Sequence, residues 1–355
     1  MWVMLKSALL LGIACGISVG VLARSKEGRS IPLTPPAEWT VMIFMNGDNN
    51  LETFALMDFA EIAKVGSTNL INIVVQFDRI DGYTSEQGNW TQTLRFRVER
   101  DMQPLPEKAI QDLGEQDMGR GEVLGDFVAW SKERYPAKQY MLVMWDHGDG
   151  WRFTDLINLR TDVAIFAEVA RERKEEVAVA EGMRAREKTR DFSILANIPP
   201  DSATESTLRA ISNDDTSASK LYNREVQNTL QDVLRIGSGG KPLEVLGFDA
   251  CLMGMVETAF AMRRVAKVMV GSEELEPGYG WDYSVWVRAL VDRPSMDETD
   301  LGKTVVSAYE RTYSARAGDT TLSAIDLSKV EALATSIDAL ADTLILRLAA
   351  QSELP

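Results

Sequence analysis

The 355-residue chain is poor in the side chains that most often do chemistry: one histidine, His147, and two cysteines, Cys15 and Cys251. A zinc site assembled from several His and Cys ligands is all but excluded, and a disulfide framework is excluded outright. Basic charge is scarce too, with 38 Lys and Arg against 53 Asp and Glu, a formal net charge of −15. That balance argues against broad nucleic-acid binding and against an electrostatic grip on anionic lipid, and it favours cationic substrates. No G-x-S-x-G elbow occurs, so a serine hydrolase built on His147 has no nucleophile motif. Gly237-Ser238-Gly239-Gly240-Lys241-Pro242 is only superficially a phosphate loop. It follows a helical stretch and puts proline where Ser or Thr is needed, so it reads as a turn. What remains, 45% apolar and 26% charged, is the composition of an ordinary folded protein.

At the amino terminus Lys6 precedes an apolar run from Ala8 to Leu22, which ends in Ala23 before Arg24. A positive start, an apolar stretch and a small-residue exit make a secretory signal over residues 1–23, which implies a secreted or cell-envelope protein. The other reading is an uncleaved membrane anchor, which the glycines at 12, 16 and 20 weaken as a helix. Cleavage after Ala23 would leave Cys251 as the single thiol. Residues 24–37 are polar and proline-rich and read as a linker.

From Trp39 onward strand-like and helical stretches alternate. Strands are expected at Trp39–Met45, Leu70–Phe77, Thr91–Val98, Tyr140–Trp145, Leu243–Phe248, Val268–Val270 and Thr321–Ile325. Helical spacing falls at Leu51–Lys64, Glu122–Glu133, Asn223–Arg235, Gly254–Arg264, Leu301–Arg316 and Lys329–Leu348. This order implies an α/β domain over about residues 38–350, a mixed and mainly parallel sheet covered on both faces. Residues 152–210 interrupt the pattern. They hold eight basic residues between Arg160 and Arg190, interleaved with glutamates, and read as a charged insertion.

The two rare residues sit at matching places. Tyr140 through Trp145 is an apolar strand leading into Asp146-His147-Gly148, and Leu243 through Phe248 leads into Asp249-Ala250-Cys251. In open α/β sheets the carboxyl ends of the strands host active sites. A thiolate is a strong nucleophile, a nearby imidazole can lower the thiol pKa or protonate a leaving group, and the glycine after His147 leaves backbone N–H groups to bind an oxyanion. Asp48-Asn49-Asn50 and Asp214-Asp215 offer oxygens to a hard cation or serve as turns and caps.

Several stretches together resemble one family: Trp39 through Met45 with Asp48 to Glu52, Asp126-Phe127-Val128, Tyr140 through Trp151, Asn213 to Ser217, Gly247 through Met255, and Ser272-Glu273-Glu274 with Pro277 to Trp281. The chain resembles the clostripain-like cysteine peptidases, whose caspase-like fold is similar to that of legumain and gingipains. The resemblance implies a three-layer sandwich and a dyad of His147 as general acid and base with Cys251 as nucleophile. It further implies the Gly148 N–H as oxyanion donor and Asp249 as the carboxylate of a pocket for a basic side chain. Asp282 is a second candidate for that pocket. An exported endopeptidase acting on proteins or peptides after Arg or Lys follows, with no cofactor required for chemistry. Calcium is a family-based expectation, with Asp214 and Asp215 its only suggested ligands. Peptidases of this resemblance can cut themselves between the two motifs, and the basic insertion offers such sites. The alternatives are a catalytically silent binding protein on the same scaffold, or a peptidase or transpeptidase with non-basic specificity.

Overall fold

The computed structural model describes residues 36–150, 210–314 and 320–352. The expected signal segment and nearly all of the charged insertion lie outside the described residues. Ten strands and seven helices are described: β1 (Ala37–Gly47), α1 (Glu52–Ala63), β2 (Ile71–Arg79), β3 (Leu94–Arg97), β4 (Gln111–Asp112), α2 (Gly121–Arg134), β5 (Ala137–Trp145), β6 (Ala210–Asp214), β7 (Ser219–Tyr222), α3 (Asn223–Val233), β8 (Leu243–Asp249), α4 (Val256–Met262), β9 (Ala266–Gly271), α5 (Tyr283–Asp292), α6 (Glu298–Tyr313), β10 (Ser323–Asp326) and α7 (Val330–Ser352). Eight strands form one sheet in the order β10-β9-β8-β5-β1-β2-β3-β4, and β6 with β7 makes a separate hairpin. The five central strands run parallel, while β10, β3 and β4 are antiparallel at the edges. The expected mixed, mainly parallel sheet is therefore present, with eight strands.

The apolar runs are continuous because the central strands are buried on both faces. Side chains alternate across a strand, so β1 sends Trp39, Val41, Ile43 and Met45 into one core, and Met42 and Phe44 into the other. On β5, Met141, Val143 and Trp145 face the first core, with Leu142 and Met144 facing the second. Helices α1, α5 and α6 cover the first face, and α2, α3, α4 and α7 the second. This is the three-layer sandwich.

Besides the two-residue strand β4, a hairpin and a helix differ from the sequence reading. The β6–β7 hairpin starts at Ala210, the residue taken as the end of the insertion. Helix α5 was not anticipated, although its buried Tyr283, Trp286, Val287 and Leu290 have helical spacing. The glycine-rich 237–240 stretch is a turn, as expected.

Candidate active site

Strands β5 and β8 are direct neighbours, paired in parallel from Met141–Val245 to Trp145–Asp249. The register puts the two strand ends side by side, and the Asp146 N–H reaches the Asp249 carbonyl at 3.3 Å. The loops that follow are in tight contact: a Cβ on Gly148 would meet the Cys251 carbonyl oxygen at 2.2 Å, and one on Gly150 would meet that of Leu252 at 2.4 Å. Only glycine allows the histidine loop to lie this close to the cysteine loop. The residue after Cys251, Leu252, has φ +63°, and its N–H donates to the Glu274 carbonyl at 3.0 Å. A non-glycine residue in that region is strained backbone, held here by its surroundings.

His147 is fixed from three sides. Its Nε2 lies 2.7 Å from Asn50 Oδ1, its carbonyl accepts the Ser212 N–H at 3.3 Å, and its own N–H donates to Asp146 Oδ1 at 2.5 Å. With Oδ1 of Asn50 as acceptor, Nε2 carries the hydrogen and Nδ1 is left as the basic nitrogen. Burial pushes the pKa of His147 down to about 4; Asp149 pulls it up and Lys220 adds to the downward push. The imidazole is therefore neutral at pH 7.

Beneath the histidine lies an organiser that sequence reasoning did not single out. Asp146 is buried, and its carboxylate accepts four hydrogen bonds: from His147 N–H, Asn49 Nδ2 (2.7 Å), Asn46 Nδ2 (2.9 Å) and Asn213 N–H (2.5 Å). Asn46 also donates to Ser212 Oγ, and Asn49 to the Asn213 carbonyl. The β1 end thus joins β5 and the β6–β7 hairpin through one carboxylate. Gly148 pairs with Ile211 of that hairpin, and the flanking bonds are made by His147 O and Asp149 N–H rather than by Gly148 N–H.

Cys251 is half-buried. Its Sγ accepts the Glu276 N–H at 3.3 Å and lies 3.7 Å from the Glu276 carbonyl oxygen. Two residues before it, Asp249 is buried; its Oδ2 accepts the Tyr283 hydroxyl at 2.8 Å and the Trp281 N–H at 3.3 Å. Burial pushes its pKa up to about 6, against these hydrogen bonds. Trp281 reaches it by packing on Gly247, where a Cβ would come within 2.7 Å of the indole. Asp282 is engaged elsewhere. It caps α5, accepting from Val285 N–H and Ser284 Oγ at Oδ1 and from Thr312 Oγ1 at Oδ2.

A second acidic group stands behind the β1 end. Asp48, Asp78, Glu115 and Asp214 each bring a carboxylate oxygen to within 4.8 Å of the others. Asp48 and Glu115 are both pushed up to about 7, by burial first and then by neighbouring carboxylates. Asp78 is fully buried; Oδ1 takes the Thr93 hydroxyl and Oδ2 has no hydrogen-bond partner. An all-carboxylate set with an orphaned buried oxygen fits a hard divalent cation. Asp214 belongs to this set, and Asp215 does not.

A caspase-like α/β sandwich with histidine and cysteine loops joined at adjacent strand ends is the architecture of a cysteine peptidase scaffold. The clostripain family model matches residues 43–164 and 199–354, and the chain belongs to that family. It is 26% identical to clostripain of Hathewaya histolytica over 348 residues, covering 85% of this chain and 55% of that protein. The chain thus spans about half the length of the curated relative it matches. Among solved structures it is similar to a secreted C11 cysteine protease from Bacteroides thetaiotaomicron bound to an irreversible peptide inhibitor (21% identity, TM-score 0.53, 84% of this chain and 69% of that one). It is also similar to an inactive zymogen C11 protease from Parabacteroides distasonis (18% identity, TM-score 0.54, 85% and 65%). These likenesses show the fold.

Proposed function

We propose that the protein is an exported cysteine endopeptidase that cleaves after Arg or Lys with Cys251 as nucleophile and His147 as general base and acid. The observation that carries the reading is the contact of the Gly148 backbone with the Cys251 carbonyl, together with a buried carboxylate, Asp249, two residues before the thiol. His147 Nδ1 takes the thiol proton as Sγ attacks the scissile carbonyl carbon. The oxyanion forms against the Gly148 N–H. His147 then gives the proton to the leaving amine, and water, deprotonated by the same imidazole, hydrolyses the thioester. A buried carboxylate suits a basic side chain, because a buried guanidinium must be paired. The test is a panel of fluorogenic peptides with wild type and Cys251→Ala. Cleavage after Arg or Lys that the variant lacks supports the proposal, whereas equal cleavage after Asp or Leu removes the basic specificity.

Self-processing in the insertion belongs to the same reading. Both ends of that segment leave the domain at one place, since Asp149 N–H donates to the Ala210 carbonyl at 3.0 Å and Gly150 abuts Leu252. A cut between them leaves two pieces held by the sheet. Wild-type protein should run as two fragments, the C-terminal one beginning between residues 161 and 191, while Cys251→Ala stays whole. Export rests on the 1–23 sequence pattern; among the described residues no helix is long and apolar enough to cross a membrane.

Calcium would be held by Asp48, Asp78, Glu115 and Asp214, where its charge offsets four carboxylates and ties the β6–β7 hairpin to β1 and β2. Calcium should raise the Tm of the Cys251→Ala protein, and Asp78→Asn should abolish the rise. An equal rise in the variant would place the ion elsewhere.

A further inference from the structure

Helix α7 leaves the domain on which it starts. Its first turn is anchored: Val330 is buried in the second core, Ala334 is half-buried, and Glu331 pairs with Arg263 at the end of α4. From Thr335 to Leu344 every residue is exposed. Four large apolar side chains, Leu333, Ile337, Leu340 and Leu344, stand between 44% and 59% exposed along this helix. Only three other large apolar side chains among the described residues are exposed, and no two of them share an element. At about 100° per residue the four fall within about 60° of one another, on the side of the helix where Val330 enters the core. Glu331, Asp338 and Asp342 lie on the opposite side. The stripe is flanked by Ala334, Ser336, Ala341 and Thr343, which are small and uncharged.

A helix owes most of its stability to the packing of its apolar face, and a row of exposed apolar side chains marks a contact with another molecule. No described helix is long and apolar enough to cross a membrane, α7 included. The spacing points to the occupant. From Leu333 the steps are 4, 3 and 4 residues, which is the alternation of a two-helix seam and reads the same in both directions. Set antiparallel, two copies place Leu333 opposite Leu344 of the partner subunit and Ile337 opposite Leu340 of the partner subunit. The flanks match as well, with Ala334 opposite the partner's Thr343 and Ser336 opposite the partner's Ala341, so the helices can approach closely. No carboxylate meets another, because Asp338 falls opposite the partner's Ala339 and Asp342 opposite the partner's Thr335. That matters in a chain of net charge −15, whose copies otherwise repel. A surface that complements itself about a two-fold axis is the requirement of an isologous dimer.

We propose that α7 is a dimerisation surface, which pairs antiparallel with α7 of a second copy through Leu333, Ile337, Leu340 and Leu344. The seam covers about 16 Å of helix, less than a standard interface, so the dimer is weak and forms at about 1–100 μM. The inference uses nothing from the proposed catalytic chemistry, so either can fail without the other.

The experiment is sedimentation velocity on the full Cys251→Ala chain, which would not cut itself, from about 1 to 200 μM. The sedimentation coefficient should rise with concentration from monomer to dimer and no further. Leu340→Glu puts two carboxylates into each seam and should raise the dissociation constant at least about a hundredfold, tenfold from each copy. Its melting temperature in dilute solution should match the parent, because Leu340 is exposed in the single chain. Register is read by mild oxidation of cysteine variants in the Cys251→Ala background. Mixed Leu333→Cys and Leu344→Cys chains should form a disulfide between those two positions, found by mass spectrometry. Leu333→Cys alone should not, since the two copies of that position lie about 16 Å apart along the axis. The Cys251→Ala parent is the blank, as it keeps Cys15 where the amino-terminal segment is uncleaved. A chain that stays monomeric over the whole range overturns the proposal, whether the stripe then binds phosphatidylcholine vesicles or is covered by another part of the same protein. A dimer indifferent to Leu340→Glu overturns it as well, and a disulfide in Leu333→Cys alone would mean parallel pairing and refute the register. Should Leu340→Glu not fold, the cross-linking decides alone.

Discussion

Replacing Gly148 with alanine tests the closeness of the two loops without removing any donor, because alanine keeps the backbone N–H. The new Cβ would lie 2.2 Å from the Cys251 carbonyl oxygen, 3.0 Å from Met253 Cγ and 3.1 Å from Ala250 Cβ, whereas ordinary contact begins at 3.4 Å. The first of these is backbone and cannot swing aside as a flexible side chain would. Relieving it requires the histidine and cysteine loops to part by about 1 Å, a displacement that typically costs about a hundredfold in rate when it separates reacting groups. Overpacking of this kind also costs about 1–3 kcal/mol of stability, which a folded domain tolerates. The assay is kcat/KM on an Arg peptide beside a thermal melt. The expected outcome is a folded protein with kcat/KM lowered by about two orders of magnitude. A folded variant within about threefold of wild type would refute the claim that this contact sets the catalytic spacing.

The remaining predictions concern the groups around that contact. Asn50→Ala removes the acceptor that holds the Nε2 hydrogen of His147, so kcat should fall about tenfold with little change in KM; an unchanged kcat would mean the tautomer is set otherwise. Asp146→Asn turns an NH2 group toward two of the four donors now satisfied by the carboxylate, at about 1–3 kcal/mol for each one stranded. The melting temperature should drop by roughly 5–15 °C, and no drop would contradict the assigned network. Asp249 must be ionised to bind a cation, and its pKa is raised to about 6, with Glu276 and Tyr283 facing it. Since the free carboxyl is protonated below that value, kcat/KM for an Arg peptide should decline as pH falls through about 6, and a profile flat down to pH 5 would oppose it.

The site was legible in the sequence to the extent that it depends on local order. Two apolar strands each ending in a polar residue and a rare reactive one place His147 and Cys251 at carboxyl strand ends, and the sheet order makes those ends adjacent. The supporting shell was not legible, because its partnerships are long-range. Asn46 and Asn213 meet Asp146 from across the fold. One signal existed: Asn46-Gly47-Asp48-Asn49-Asn50 is a run of polar residues directly after a fully buried strand, and Asn46, Asp48 and Asn49 stay buried. Helix α5 escaped for a different reason. Asp282 was weighed as a pocket residue, when its position before Tyr283, Trp286, Val287 and Leu290 marks an N-cap. The β6–β7 hairpin is short, interrupted by a positive φ at Ser212, and follows a charged stretch, so it carries no alternation to read. The four-carboxylate group combines residues from β1's end, β2, the loop after β4 and β6, and only Asp214 of the two aspartates suggested by sequence belongs to it.

The central claim is that Cys251 is a nucleophile that His147 activates beside a pocket for basic side chains. Its most direct test is labelling with a peptidyl acyloxymethyl ketone ending in Arg, read by mass spectrometry of the intact chain and its tryptic peptides. The account predicts one adduct, on Cys251, formed by wild type, absent in His147→Ala, and much slower when the terminal residue is Asp. An adduct that forms equally well without His147, or with Asp as with Arg, would contradict it.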